Sequence, residues 1–537
     1  MGNENNNSND VLLNTSKGKK NKSIIILTIV ALVVILIGGG AYAIINNNPK
    51  VKVFNAIKAT SKEIKSKEGF IEKIAMKDYS EILREKGVNQ NIKFALKSSN
   101  IGEMENLNGI GMNLDYSIDI NNKKLLYKIG VENKDTSIVS SQFYTDNNKL
   151  MIYVPELYNS WFTCDAENID KQYNDSVLAQ NGELANKEIS FKVFGEDDNE
   201  TLDKDFYKNI VEDYLKSNEE TFKTIGENIK VEKLKESKDI EIGGISQKCT
   251  GYNLVVSGED AKMFILKSYD YILQDENIKK IITEQVKYSY MQQIEDYNSP
   301  EEMVSDIYED IKENRDSFEN TINFDDINAN VYIDKDGRAV STECSTGINN
   351  NSGRKIQVKY CSDFKGKDNI GDIIDMSIEA TKDEENAKID FNKNTINKDG
   401  TIENEMNLNL SFDDDPISIN TKSQYNTNNG DFDVLASLNG KNNGSMDINC
   451  DGNINFDKSS KKLAVDFDKI DFKNNTDQDG INISFDASYY IAPLQNSIEE
   501  PDGEKLEIFK LSEEEMTELA QEVQGNASKI AQEFMGM

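Results

Sequence analysis

The stretch DINCDGNINFDK has the residue types of a cation site. Asp447, Asn449, Asp451 and Gly452 fall at positions one, three, five and six of a calcium loop, and Ile454 at its apolar eighth. The twelfth position is Lys458, Asp457 sits one residue early, and the following KKLAVDFDKIDF alternates as a strand where an exiting helix is needed. A hairpin turn is the better reading, and Asp447, Asn449 and Asp451 imitate a metal site without completing one. YIDKDGRAVSTE offers Asp334, Asp336, Gly337 and Glu343 but begins with Tyr332 in place of an acid. Catalytic chemistry has less to work with. The chain has no histidine, which removes the usual general base near neutral pH, the commonest metal ligand and every imidazole triad. Ser352 and Lys355 form a bare Ser-x-x-Lys in the loop-like NNNSGRK, a spacing that arises by chance. Neither a phosphate-cradling glycine loop nor a GxSxG elbow is present. The expectation is a non-enzymatic protein without a cofactor. A histidine-independent carboxylate hydrolase is an alternative only if two acids converge in a pocket.

The net charge of −34 over 537 residues repels nucleic-acid phosphates and anionic headgroups, so nucleic acid is excluded as a partner. Cys164, Cys249, Cys344, Cys361 and Cys450 are scattered and form no CxxC. Cys344 and Cys361 could meet on adjacent strands, but an odd count establishes no pairing, and buried free thiols are expected.

The element that places everything else is Ile24 to Ile45, IIILTIVALVVILIGGGAYAII, uncharged and long enough to cross a bilayer core as one helix. Lys17, Lys19, Lys20 and Lys22 precede it, which keeps the N-terminus cytoplasmic and sends the bulk of the chain outside. A single-pass cell-membrane protein is expected. The alternative is a secreted protein cleaved near Ala43, because Ala41-Tyr42-Ala43 has the form of a signal-peptidase site.

Periodicity divides the rest. Residues 1–22 read as a disordered cytoplasmic tail and 23–45 as the anchor. Residues 50–325 read as an α+β domain, 326–497 as an antiparallel β-rich domain and 498–537 as a C-terminal helix. An amphipathic helix is expected over 55–67, followed by Ile92–Leu96 and an antiparallel meander over 112–154. Helices are expected at 204–230 and after Ser257 and Ser299, each serine opening a capping pattern. Tight turns are expected at Gly243-Gly244, Asp336-Gly337, Asp399-Gly400, Asn439-Gly440, Asp451-Gly452 and Asp479-Gly480. The last helix starts at Ser512 and should break or kink at Gly525. Trp161 reads as a core or sheet-edge plug.

The order helix, antiparallel meander, then a Trp just beyond a strand in YVPELYNSWFTCD resembles the start of the envelope lipid-carrier superfamily, whose half-barrel sheet wraps around helices and leaves an apolar cavity. The likeness covers Phe54 to Cys164, and a membrane helix and a large second β region depart from it. In whole-chain character the sequence resembles an uncharacterised family of anchored Gram-positive surface proteins. The fold class expected is α+β, an N-terminal transmembrane helix followed by antiparallel curved, half-barrel-like sheets covered by amphipathic helices. The function expected is binding of lipid or another apolar envelope component in a sheet–helix groove, with Leu114, Tyr116, Ile118, Leu408, Leu410 and Phe412 as groove residues. A structural or adaptor ectodomain with a protein partner is the alternative.

Overall fold

Turn chemistry and helix caps decide where each element of the chain begins. Gly243 and Gly244 take φ of +58° and +77°, the left-handed pair that a two-residue hairpin between Ile242 and Ile245 demands. Ser257 caps a helix by accepting the Asp260 N–H at 3.1 Å while its hydroxyl donates to the Asp260 carboxylate at 2.7 Å. Ser299 caps another by accepting the Glu302 N–H, with Pro300 at the first helical position. The computed structural model describes residues 49–66, 87–180 except 103, 135 and 147, 206–290, and 299–535 except 352, 354, 383–384, 413–414, 441–443 and 476–479. The expected tail and anchor, Ser352 and the turn residue Asp479 lie outside the described residues. Among the described residues no helix is long and apolar enough to cross a membrane.

The fold is α+β and dominated by antiparallel strands. Its residues group into two compact units that interleave along the chain. Among the described residues, one comprises 49–66, 206–392 and 410–412, and the other 87–180, 393–409 and 415–535. This is not the sequential division at 325/326 that periodicity suggests. The meander near the N-terminus groups with the C-terminal strands, because Val88–Ser99 pairs antiparallel with Ile481–Pro493. Periodicity identifies strands but carries no information about a partner almost 400 residues away.

In the first unit, strands β7 (Lys230–Ile242), β8 (Ile245–Val256), β10 (Ile327–Ile333), β11 (Ala339–Asn350), β12 (Lys355–Phe364) and β13 (Ile373–Lys382) pair in that order, and β9 (Ile322–Phe324) continues the line of β10 beside β11. Helices α1 (Pro49–Ser66), α4 (Glu219–Asn228) and α5 (Gly258–Gln274) cover this sheet. Val53 and Phe54 of α1, Phe222 and Ile225 of α4 and Phe264 of α5 are buried against Leu254, Ile327, Ala329 and Val331. Helix α3 (Phe206–Ser217) brings Tyr214 against Phe222 and Phe264, while α6 (Glu276–Tyr290) and α7 (Pro300–Thr321) close on Val286, Met303 and Val304. The helices expected after Ser257 and Ser299 form there, and the one or two helices expected over 204–230 are two.

Strands β14 (Glu385–Lys398) and β15 (Thr401–Phe412) are joined at Asp399-Gly400, where both residues are left-handed, and their residues are divided between the units.

The second unit is built on β1 (Val88–Ser99), β2 (Ile110–Asp119), β3 (Lys124–Asn133), β4 (Thr136–Thr145), β5 (Lys149–Val154) and β6 (Tyr158–Asp165), together with β16 (Asp415–Asn426), β17 (Asp431–Gly440), β18 (Gly444–Asp457), β19 (Lys462–Asn474) and β20 (Ile481–Pro493). The sheet order is β16-β17-β18-β19-β20-β1-β2-β3-β4-β5-β6, all antiparallel, and the short β21 (Lys505–Glu507) lies parallel to β6. Trp161 fills the small core at this end with Tyr144, Met151 and Ile498, stacks on Tyr153 at 5.1 Å and donates its indole N–H to the Asp502 carbonyl at 3.1 Å. It is the plug that the sequence suggested. Helix α2 (Ile169–Asp175) follows β6, and α8 (Glu513–Met535) docks through Asn526, whose amide donates to the Leu157 carbonyl at 2.9 Å. Gly525 does not break α8. The helix is continuous on both sides, and one exposed glycine costs only about 1 kcal/mol against alanine.

Asp119, buried at the end of β2, accepts from the backbone N–H and amide of Asn122 at 3.0 and 2.9 Å and from the Ile498 N–H at 3.4 Å. Burial alone would raise its pKa. The hydrogen bonds from Asn122, Ser497 and Ile498 outweigh that and hold the carboxyl below the ordinary aspartate value. Such a depressed group contributes stability that is present above its unfolded value and lost as pH falls through the folded one. Asp325, Asp375 and Glu500 shift the same way. With no histidine to titrate, thermal unfolding followed by circular dichroism should give a melting temperature that is flat from about pH 6 to 8 and falls below about pH 4. A step between pH 6 and 8 would contradict this account.

Candidate ligand-binding surface

Residues directly opposite in an antiparallel pair point to the same side of the sheet, so the registers of the second unit identify its faces. One row runs Tyr425, Phe432, Gly452, Phe467, Ala487, Phe94, Met112, Val131, Val139 across nine consecutive strands from β16 to β4. The next row contains Ile454, Val465, Tyr489, Ile92, Leu114 and Ile129, and the one after it Phe456, Leu463, Ile491, Gln90, Tyr116, Tyr127 and Phe143. Within the paired registers no charged residue stands on this face of the nine strands. The opposite face carries Asn89, Asn91, Asp115, Asp433, Asp447, Asn449 and Asp486.

Leu96, Leu125 and Leu463 of the apolar face are buried, but much of the rest is not packed like the core of the first unit. Phe94 is 41% exposed, Ile419 39%, and Leu438 and Ile448 38% each, whereas Val331 and Val340 of the first unit are fully buried. Along β17, β18 and β20 almost every described side chain on either face is half-buried or exposed, the pattern of a single layer with nothing thick against it among the described residues. Sheets normally cover an apolar face with helices or a second sheet. Here the ten- to fourteen-residue strands supply the face, and β-branched and aromatic residues at every second position keep it apolar.

Leu114, Tyr116 and Ile118 lie on this face and are half-buried. Leu408 is a half-buried residue of β15, while Leu410 and Phe412 fall among residues grouped with the first unit, and the Phe412 side chain lies outside the described residues. The residues missed by sequence reasoning are on β17 to β20: Phe432, Val434, Leu438, Ile448 and Phe485. Their alternation is legible, but only the registers join them to Leu114.

Asp447, Asn449 and Asp451 are not a loop, and Asp451-Gly452 is not a turn. All lie inside β18, the three polar residues two apart on the polar face. Such residues repeat about every 6.8 Å, too far to converge on one ion. Gly452 sits at a bulge where a Cβ would meet the Asp466 carbonyl oxygen at 2.1 Å, so glycine allows β19 its close approach. The other partial calcium-loop match, around Asp334, is a turn in the first unit, as expected at Asp336-Gly337. Asp334 accepts the N–H groups of Asp336 and Arg338 and pairs with the Arg338 guanidinium at 2.7 Å. Among the described residues no group of three His, Cys, Asp or Glu could hold a metal.

All five cysteines are free. Cys344 stands opposite Tyr360 and Cys361 opposite Glu343, so the two thiols leave opposite faces of the β11–β12 pair and cannot bridge. Burial pushes Cys249 up to about 11 and Cys344 up to about 12. Cys361 is exposed, against the expectation of burial.

An open groove of about 800 Å³ beside β1 is ringed by Lys93, Lys97, Glu132, Lys134, Asp468 and Asp486. Lys93 pairs with Glu132 at 3.3 Å and Lys97 with Asp486 at 2.8 Å. Four of these six charges pair with one another, and Phe94, Met112 and Phe467 of the apolar face also line the groove. No protein-family model matches the chain, and a search of curated proteins returns no match.

Proposed function

We propose that the protein is a non-enzymatic, membrane-anchored extracytoplasmic protein that binds lipid or another apolar envelope component on the uncharged sheet face of its second unit. The observation that carries this reading is the face itself. It is continuous over nine strands, without charge, and built of phenylalanine, tyrosine, isoleucine and leucine that remain up to 41% exposed. A typical monomer exposes apolar patches of only about 300–600 Å², and larger ones mark interaction sites. The anchor expected at residues 23–45 would hold the face beside a supply of lipid.

The test is lipid extraction and mass analysis of the full chain purified in mild detergent from a bacterial host, compared with a face variant, Ile448→Lys, prepared in the same way. Shared lipid around the anchor cancels in that comparison. Lipid retained in a stoichiometric amount by the wild type and lost from the variant is expected. Equal lipid in both would overturn the reading. A co-purifying protein lost from the variant would then favour the adaptor alternative.

A further inference from the structure

We infer that the apolar face is closed by a second copy of this chain, two copies meeting sheet to sheet so that a ligand is held between them and not left open on one side. The pairing needs only the face, and the ligand between the copies rests on the proposed function. With strands about 4.8 Å apart and inward side chains repeating about every 6.8 Å along each strand, nine strands make a face of about 38 by 20 Å. Two such faces in contact bury about 1,500 Å², within the range of about 1,200–2,000 Å² of stable specific interfaces.

The composition of the two faces supports a partner of the same kind. Face-to-face sheets need interdigitating apolar side chains and no stranded charge. That holds for Phe94, Leu438, Ile448, Phe467 and Phe485, and none of their paired neighbours on this side is charged. The net charge of −34 would oppose association of two copies. The carboxylates of these strands, among them Asp433, Asp447 and Asp486, are on the opposite side of the sheet, so contact through the apolar face keeps them in water. Exposed large side chains of the second unit include Phe94 on β1 and Ile419, Leu438 and Ile448 on β16–β18, so the most exposed part of the face runs from β16 to β1, six of its nine strands.

The experiment is photo-cross-linking of the full chain in its membrane. A benzophenone amino acid is introduced at Phe94 or Ile448 on the apolar face, and at Asp433 or Asn449 on the polar face. An adduct of twice the chain mass from Phe94 and Ile448, and none from Asp433 and Asn449, is the expected result. Lipid adducts without the double-mass species would overturn the pairing and leave the lipid reading standing. Double-mass adducts without lipid would do the reverse. Adducts to a different protein, double-mass adducts of equal yield from both faces, or no adduct from any position would each overturn the pairing.

Discussion

Arg338→Met is expected to destabilise the first unit by about 3–5 kcal/mol, because it removes one partner of a buried ion pair and leaves the other charge behind. The Arg338 guanidinium donates to both carboxylate oxygens of Glu63 at 3.0 and 3.1 Å and to Asp334 through Nε at 2.9 Å. The Asp334 side chain is fully buried, and Glu63 also accepts the Ile370 N–H at 3.0 Å. One cation therefore joins α1, the β10–β11 turn and the segment before β13. Without it Asp334 retains only backbone donors. Glu63→Gln should cost less, about 1–2 kcal/mol, since its partner keeps Asp334 and the glutamine can still accept one bond. Urea unfolding at pH 7 measures both, and an Arg338→Met loss below about 1 kcal/mol would show that the cluster is not what holds α1 to the turn.

The largest functional effect is expected from a charge on the apolar face. Phe94→Lys should lower bound lipid at least about tenfold, because an ammonium must be stripped of water wherever an apolar chain covers it. The stability cost should be small, as Phe94 is 41% exposed and has little packing to lose. Asn449→Lys makes the same charge change on the polar face and should leave bound lipid unaltered. Extracted lipid per mole of protein, read beside the melting temperature, separates loss of binding from loss of fold. Equal losses from both variants would indicate a response to net charge and no role for the face.

Much of the local structure was written in single residues. Ser257 and Asp260, Ser299 and Pro300, and Gly243-Gly244 act within a few positions of themselves, and each did what its chemistry required. Local reading failed where a distant strand intervened. Asp451-Gly452 has the residues of a turn, yet β17 and β19 on either side supply ladder partners for both, and the glycine serves a bulge. Gly525 has the weakness of a helix breaker, but a long helix on each side outvotes one residue.

By itself the sequence determined the α+β class, the alternation of apolar and polar residues along the strands, the absence of imidazole chemistry and the acidic charge, because these depend on residue type and near neighbours. The apolar face was decided by tertiary structure alone. Leu114 and Ile448 are more than 300 residues apart in the chain and share a surface because β1 pairs with β20 on one side and β2 on the other. Hydrogen bonding between strands sets which residues stand opposite each other, and a shift of one position would have turned every apolar side chain to the polar face.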